Sequence, residues 1–204
     1  MNEAPWDQKL ARILAKPLVR TPVHPNHITA LGLLLGLAAA WLFSLGDRDA
    51  ANWAAALFVL AAFLDHVDGE LARLAGKTSR FGHYYDHVVS GITYTAGFIG
   101  IGIGMSGGVL GWWAIPLGIV AGISITLVMS VRLGTEIKHG KESIRQRNFA
   151  GFQAEDVLYV VGPVTWLGGM MPFLLAAGVG TPLFLIWVIW RSATASSPAN
   201  REPP

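Results

Sequence analysis

Asp65, His66, Asp68, Glu70 and Arg73 crowd into nine consecutive positions directly after an apolar run, ANWAAALFVLAAFL. Asp86, flanked by His83 and His87, stands near the start of the next apolar run. On an α-helix each residue advances about 100°, so Asp65, Asp68, Gly69 and Ala72 share roughly a third of the circumference. Gly82, Asp86 and Ser90 follow at i, i+4 and i+8 and make one stripe on the following helix. Two carboxylates from one helix can then face a third from its neighbour. The chain has no cysteine, and clustered carboxylates without thiolates suit a hard cation such as Mg²⁺ or Mn²⁺. A cation held there would also take phosphate oxygens and stabilise charge in phosphoryl transfer. Gly69, Ala72 and Gly82 are small enough to let a backbone or a bulky ligand come close. The bland alternative is a set of ion pairs at a helix end, such as Asp68 or Glu70 with Arg73. His83 and His87 at i, i+4 make half a zinc site, but no third ligand matches them.

The elements that must position these groups are membrane spans. Of the 204 residues, 52% are hydrophobic and only 14% charged, where a soluble domain carries about 25%. Six stretches approach the roughly 20 apolar residues that cross a bilayer as a helix. They lie at about 28–46, 51–74, 83–106, 112–133, 157–177 and 179–191. Carboxylates at the ends of such spans cost several kcal/mol unless paired, hydrated or metal-bound, which makes them functional candidates.

The basic residues test that count. Lys9, Arg12, Lys16 and Arg20 precede span one, and Arg73, Lys77 and Arg80 lie between spans two and three. Arg132, Lys138, Lys141, Arg145 and Arg147 lie at or after the end of span four, and Arg191 and Arg201 follow span six. With six spans, only Arg48 of the fifteen Lys and Arg falls on the other side. That is the positive-inside pattern, with both termini cytoplasmic in an inner, cytoplasmic membrane. The basic character therefore belongs to loops near anionic lipid head groups, and no nucleic-acid partner is expected. Intramembrane acids would also suit an ion-relaying transporter, which has no need for the small residues and arginine at these spacings.

Residues 1–22 lack the apolar core and cleavage site of a signal peptide. Trp6, Leu10, Ile13, Leu14 and Leu18 recur at helical spacing with Lys9, Arg12 and Lys16 between them. This predicts an amphipathic helix lying in the interface, followed by a transmembrane domain over 23–191. Residues 192–204, polar and rich in Pro and Ser, are expected to be disordered. Trp6, Trp53, Trp112, Trp113, Trp187 and Trp190 read as interfacial anchors. Arg132, Lys138, His139, Lys141, Arg145 and Arg147 are candidates for an acceptor's phosphate. Glu155 and Asp156 either contact a head group or cap a helix.

Asp65-x-x-Asp68-Gly69-x-x-Ala72-Arg73, then eight residues, then Gly82-x-x-x-Asp86-x-x-x-Ser90, resembles the signature of the CDP-alcohol phosphotransferase (phosphatidyltransferase) family, meeting seven of its eight fixed positions. Pro25-Asn26-His27-Ile28-Thr29 resembles the family's Pro-Asn-x-x-Thr start of span one. The resemblance implies six spans, an N-terminal interfacial helix and a phospholipid-synthesising enzyme. A CDP-linked alcohol, often CDP-diacylglycerol, would donate a substituted phosphate to an acceptor hydroxyl, releasing CMP. It implies Asp65, Asp68 and Asp86 as ligands of a two-metal site of Mg²⁺ or Mn²⁺, and Gly69, Ala72, Arg73 and Gly82 around the CDP group. Dimerisation is common in the family.

The departure is Ser90, where the family has an aspartate that serves as metal ligand and general base. A serine hydroxyl is no base at neutral pH and brings no charge, and general base catalysis is worth about 10²- to 10⁴-fold. Ser90 is a substitution that stops turnover, a natural residue in a member using another base, or the mark of a homologue that binds CDP-lipid and metal without catalysis. His87 has a suitable pKa range for a replacement base, but it sits off the Asp86–Ser90 stripe.

Overall fold

The computed structural model describes residues 6–139 and 158–195, and all its regular structure is helical. In chain order the helices are α1 (Trp6–Leu18), α2 (Pro25–Ser44), α3 (Arg48–Leu74), α4 (Arg80–Gly104), α5 (Ala114–His139), α6 (Val161–Trp166) and α7 (Met170–Ala195). Short 3₁₀ turns at Met105–Gly107 and Gly111–Trp113 connect α4 to α5. This is an all-α, multi-pass membrane protein.

Local signals set the helix ends. His24 and His27 cap α2 reciprocally: the His24 ring accepts from the Asn26 amide at 3.2 Å, and the His27 ring accepts from the His24 amide at 3.2 Å. Asp47 accepts from the Ala50 amide at 2.9 Å and starts α3. Ser79 accepts from the Gly82 amide at 2.9 Å and starts α4, a cap that satisfies an otherwise orphaned donor. At the end of α3 the Lys77 amide reaches back to the Ala72 carbonyl, and Gly76, at φ 64°, bonds the Arg73 carbonyl. A glycine accepts that left-handed turn without steric cost.

Helix α2 is the organising element. It packs against both α3 and α4, whereas the backbones of α3 and α4, although consecutive, come close at few points and meet mainly through side chains. At the α2–α4 crossing Gly100 lies on the Ala40 backbone, and a Cβ there would stand 2.9 Å from the Ala40 carbonyl carbon. Glycine at such a crossing permits the close approach on which helix packing in lipid depends. Phe43, Phe58, Tyr94 and Phe98 fill the core between these helices. Outward-facing Leu34, Trp53, Leu183 and Ile186 are all more than 60% exposed, as expected of side chains solvated by lipid tails.

Six spans are expected from the charge pattern. Among the described residues five helices are long and apolar enough to cross a membrane: Pro25–Ser44, Arg48–Leu74, Arg80–Gly107, Gly111–Thr135 and Met170–Ser192. The break expected near residue 178 does not occur. Helix α7 runs unbroken from Met170 through Pro182 to Ala195, also past the expected span end at 191. The helix carries Pro182 inside it, and the neighbouring Thr181 hydroxyl donates to the Ala177 carbonyl at 2.8 Å. The chain turns instead at Gly168, φ 75°, whose amide bonds the Thr165 carbonyl while Gly169 bonds Val164. The expected fifth span, 157–177, is divided: helix α6 takes Val161–Trp166, and residues 170–177 form the start of α7.

Directions follow from contacts. A Cβ on Gly178 would meet Leu117, and the Thr181 hydroxyl lies 3.4 Å from the Ala121 carbonyl, so α7 runs parallel to α5. Tyr159 meets the His66 ring, a Cβ on Gly162 would lie 3.2 Å from Val59, and Trp166 Nε1 donates to the Asn52 carbonyl at 3.3 Å. The α6 segment therefore runs antiparallel to α3.

Helix α1 lies against the end of α3 that carries the acids. It buries Asp7, Ala11 and Ala15, a stripe at i, i+4 and i+8, and turns Trp6, Leu10, Ile13 and Leu14 outward beside Lys9, Arg12 and Lys16. The fastening is polar: Asp7 Oδ2 lies 3.0 Å from His66 Nε2. The other His66 ring nitrogen is 3.1 Å from the Ala62 carbonyl and 3.3 Å from the Tyr159 hydroxyl. Hydrogen bonds to charged groups contribute about 1.5–3 kcal/mol. Asp7→Ala is therefore expected to lower the melting temperature in detergent, and Asp7→Ala with His66→Ala to cost less than the sum of the two. Additive losses in that double-mutant cycle would show that the pair does not hold α1.

Candidate active site

The separation of α3 from α4 opens a cleft of about 480 Å³ at one end of the bundle. Asp68, Gly69, Ala72 and Arg73 of α3 and Gly82 and Asp86 of α4 line it. Each of these is a residue that the sequence spacing singles out. Gly69 and Gly82 widen the cleft. A Cβ on Gly69 would meet only the Arg73 guanidinium, at 3.5 Å, and one on Gly82 would stand 3.0 Å from Ser79 Oγ and 3.4 Å from Asn26 Oδ1.

Behind the cleft, and sharing Asp68 with it, is a small cavity of about 10 Å³. Asp65, Ser90, Thr29 and Thr93 line its polar side. Asp65 and Ser90 line this cavity and do not line the cleft. The Ser90 hydroxyl donates to Asp65 Oδ1 in a short hydrogen bond. The Thr29 hydroxyl donates to Asp68 Oδ2 at 2.5 Å, with both residues about 95% buried.

Asp86 faces Asp65 closely enough to share a hydrogen bond with it, and Asp68 is near enough to interact by charge. Its Oδ1 is buried and has no hydrogen-bond partner among the described residues. Asp68 has Asp65, the Thr29 hydroxyl, His66 and the Gly69 amide around it. Among the described residues no three His, Asp or Glu side chains already form a metal cage, because Asp65 and Asp68 are turned toward hydroxyls. The donor set nevertheless fits a divalent cation: three carboxylates crowd together, and one buried oxygen is unsatisfied. All the donors are oxygen, which suits Mg²⁺ or Mn²⁺.

Arg73 does not pair with Asp68. It donates to Glu70 Oε1 at 2.7 Å, with its own side chain 56% exposed, so that contact contributes little stability. It steers the guanidinium instead, and a guanidinium has donors to spare for a phosphate. His87 is not brought to the cleft. Its Nε2 lies 3.1 Å from Ser130 Oγ on an open groove between α4 and α5. Arg132, half-buried on α5, does not line the cleft either. Lys138 and His139 fall at the end of α5, their side chains outside the described set. Lys141, Arg145, Arg147, Glu155, Asp156 and the segment 196–204 lie outside the described residues.

Spacing within α3 and α4 misses what α2 and the α3–α4 loop contribute. Asn26 and Thr29 reach the cleft from α2, and Lys77, Thr78, Ser79, Arg80 and His83 complete its rim. The usable signal was the Pro25–Thr29 stretch. The Thr29–Asp68 bond predicts that Thr29→Val weakens Mn²⁺ binding about 10- to 100-fold, the usual effect of losing a partner behind a metal ligand. Calorimetric titration checks this, and an unchanged affinity would show that Asp68 needs no such support.

A protein-family model described as CDP-alcohol phosphatidyltransferase matches residues 22–193. The chain is 35% identical to the archaetidylinositol phosphate synthase of Pyrococcus horikoshii over 97 residues, 48% of this chain and 50% of that protein. It thus spans about half the length of that relative. It is 28% identical to the phosphatidylinositol phosphate synthase of Corynebacterium glutamicum over 196 residues, 93% of this chain and 80% of that one. The fold is shared with the Mycobacterium tuberculosis phosphatidylinositol phosphate synthase solved with CDP-DAG bound. There the TM-score is 0.63 at 22% identity, covering 96% of this chain and 99% of that chain. The same mycobacterial protein, solved with manganese and citrate, gives a TM-score of 0.62 at 22% identity, covering 95% and 93% of the two chains. With its signature residues gathered on one cleft and the family's pattern running over 22–193, this chain belongs to the CDP-alcohol phosphatidyltransferase family.

Proposed function

We propose that the cleft binds the diphosphate of a CDP-alcohol, CDP-diacylglycerol in the first instance, and passes its substituted phosphate to an acceptor hydroxyl with release of CMP. The observation that carries this is the cleft itself, whose lining brings Asp68 and Asp86 together with Arg73, Lys77 and Arg80. A divalent cation, when bound, offsets charge on the phosphate oxygens. Asp68 and Asp86, which line the cleft, would hold the cation, and the Thr29 hydroxyl fixes the Asp68 carboxylate. Arg73 bonds a phosphate oxygen while Glu70 keeps it aimed, and Gly69 and Gly82 leave room for the nucleotide. The mycobacterial neighbour, solved once with CDP-DAG and once with manganese, supports both ligands. The relatives named as inositol phosphate lipid synthases make an inositol phosphate the first acceptor to try.

Ser90 favours a second reading, a homologue that binds CDP-lipid and metal with little or no turnover. The test is CMP release by the purified chain with CDP-diacylglycerol, Mn²⁺ or Mg²⁺ and a panel of acceptors: inositol phosphate, glycerol phosphate and serine. The first reading expects release that depends on both cation and acceptor. No release from this chain or from Ser90→Asp, with CDP-diacylglycerol still bound, would leave the second.

The topology we propose keeps six crossings. Helices α5 and α7 run parallel, so the chain must return across the bundle between them, and the α6 segment lies on that return, antiparallel to α3. The cleft, α1, Arg132 and Arg191 then share one side, which the positive-inside rule makes cytoplasmic. The parts are an interfacial segment over 1–22 and a transmembrane unit over 23–191, to which α7 adds a turn. Cysteine labelling from each side of sealed vesicles, at Arg20→Cys and Arg48→Cys, would place both ends of span one. Labelling of Arg20→Cys from outside would overturn the orientation.

A further inference from the structure

The small cavity behind the acids has features that the phosphotransfer reading does not use. Its volume, about 10 Å³, is at the lower bound of the roughly 10–15 Å³ that admits one water. Thr93, 3% exposed, lines it with a buried hydroxyl that has no hydrogen-bond partner among the described residues. A buried hydroxyl left unsatisfied is destabilising. Ser90 and Thr29 spend their hydrogens on Asp65 and Asp68, so both hydroxyl oxygens keep lone pairs that can accept. The cavity therefore offers one free donor and several acceptors in a space for a single small molecule. Gly32, Ala61 and Val89 make its apolar side, and Tyr94 completes the lining.

We propose that this cavity holds one ordered water, which accepts from Thr93 and donates to Ser90, and that the water takes the place of the carboxylate oxygen that an aspartate at position 90 would bring. The water ties the Ser90 hydroxyl from behind while Ser90 ties Asp65. Thr93 is then a positioning residue, acting on Asp65 through water and serine. This rests on the cavity and its hydroxyls alone, and stands whether or not the chain turns over.

The test is crystallography of the full chain, soaked in Mn²⁺ and measured at the manganese absorption edge. The same data are collected from Thr93→Val, Thr93→Ser and Ser90→Asp. The proposal expects a peak without anomalous signal, within hydrogen-bond distance of Thr93 and Ser90. The peak should persist in Thr93→Ser, vanish in Thr93→Val, and be replaced by a side-chain oxygen in Ser90→Asp. Manganese signal in the cavity, no peak in the parent chain, or a peak that survives Thr93→Val would each overturn it. Mn²⁺ titration gives a readout that needs no crystals. Thr93→Val should weaken binding about tenfold, at the low end for a group that acts behind a ligand, and Thr93→Ser should restore it. Equal loss in both variants would mean that Thr93 matters for packing only, against the proposal.

Discussion

Ser90→Asp is expected to raise acceptor-dependent CMP release about 10²- to 10⁴-fold, the range that a positioned general base supplies. The parent serine sits at the right place on α4, one turn beyond Asp86, but its proton is directed at Asp65 and its oxygen is too weak a base for neutral pH. A carboxylate at that point would face Asp65 and Asp86 at short range, and like charges so close cannot all ionise without a cation. The gain should therefore appear only with Mg²⁺ or Mn²⁺ present, and without the ion the variant should melt below the parent chain. Equal CMP release from parent and variant would show that another group removes the acceptor's proton.

Asp86→Asn is expected to weaken Mn²⁺ binding by more than about 100-fold, beyond the 10- to 100-fold loss typical of groups behind a ligand. Asparagine keeps the shape of the side chain and removes only its charge. The Asp86 carboxyl is crowded by Asp65 and Asp68, and among the described residues one of its oxygens is buried without a partner. The same variant should raise the melting temperature of the metal-free protein, since a strained acidic cluster costs stability that function retains. Calorimetric titration and thermal melts read the two effects. Weaker binding with a lower melting temperature would mean that Asp86 is a structural group.

The carboxylate stripes were legible because they lie within single helices, where a period of 3.6 residues fixes which side chains share a face. Asp68, Gly69, Ala72 and Arg73 on α3 and Gly82 and Asp86 on α4 meet at one cleft as their spacing implies. What holds the two stripes apart was not legible. Helix α2 wedges against both, and the Thr29–Asp68 bond joins residues 39 positions apart, a relation that no local pattern encodes. The placement of Asp65 and Ser90 behind the cleft, not in its wall, also depends on how the helices rotate against each other. Near α7 the expected spans put a break at about residue 178, in Gly178-Val-Gly180-Thr-Pro182, whereas the chain turns at Leu167-Gly168-Gly169. Of these glycines only Gly168 adopts a left-handed turn, and helix α7 runs through Pro182 unbroken.

Small residues carry two separate duties. Gly100 lets α4 lie on the α2 backbone, which is architecture. Gly69 and Gly82 keep the cleft open between helices that α2 holds in place, which is function. The acids then stand at the end of the bundle where α1, with its outward apolar face and three basic residues, lies along α3.

The most direct test of the central claim is Mn²⁺ binding to the purified chain, measured by calorimetry with and without CDP-diacylglycerol. A cleft that holds cation and diphosphate together should bind Mn²⁺ more tightly when the CDP-lipid is present, and Asp86→Asn should abolish that enhancement. Mn²⁺ affinity that is the same with and without the lipid, or that survives Asp86→Asn, would contradict the account.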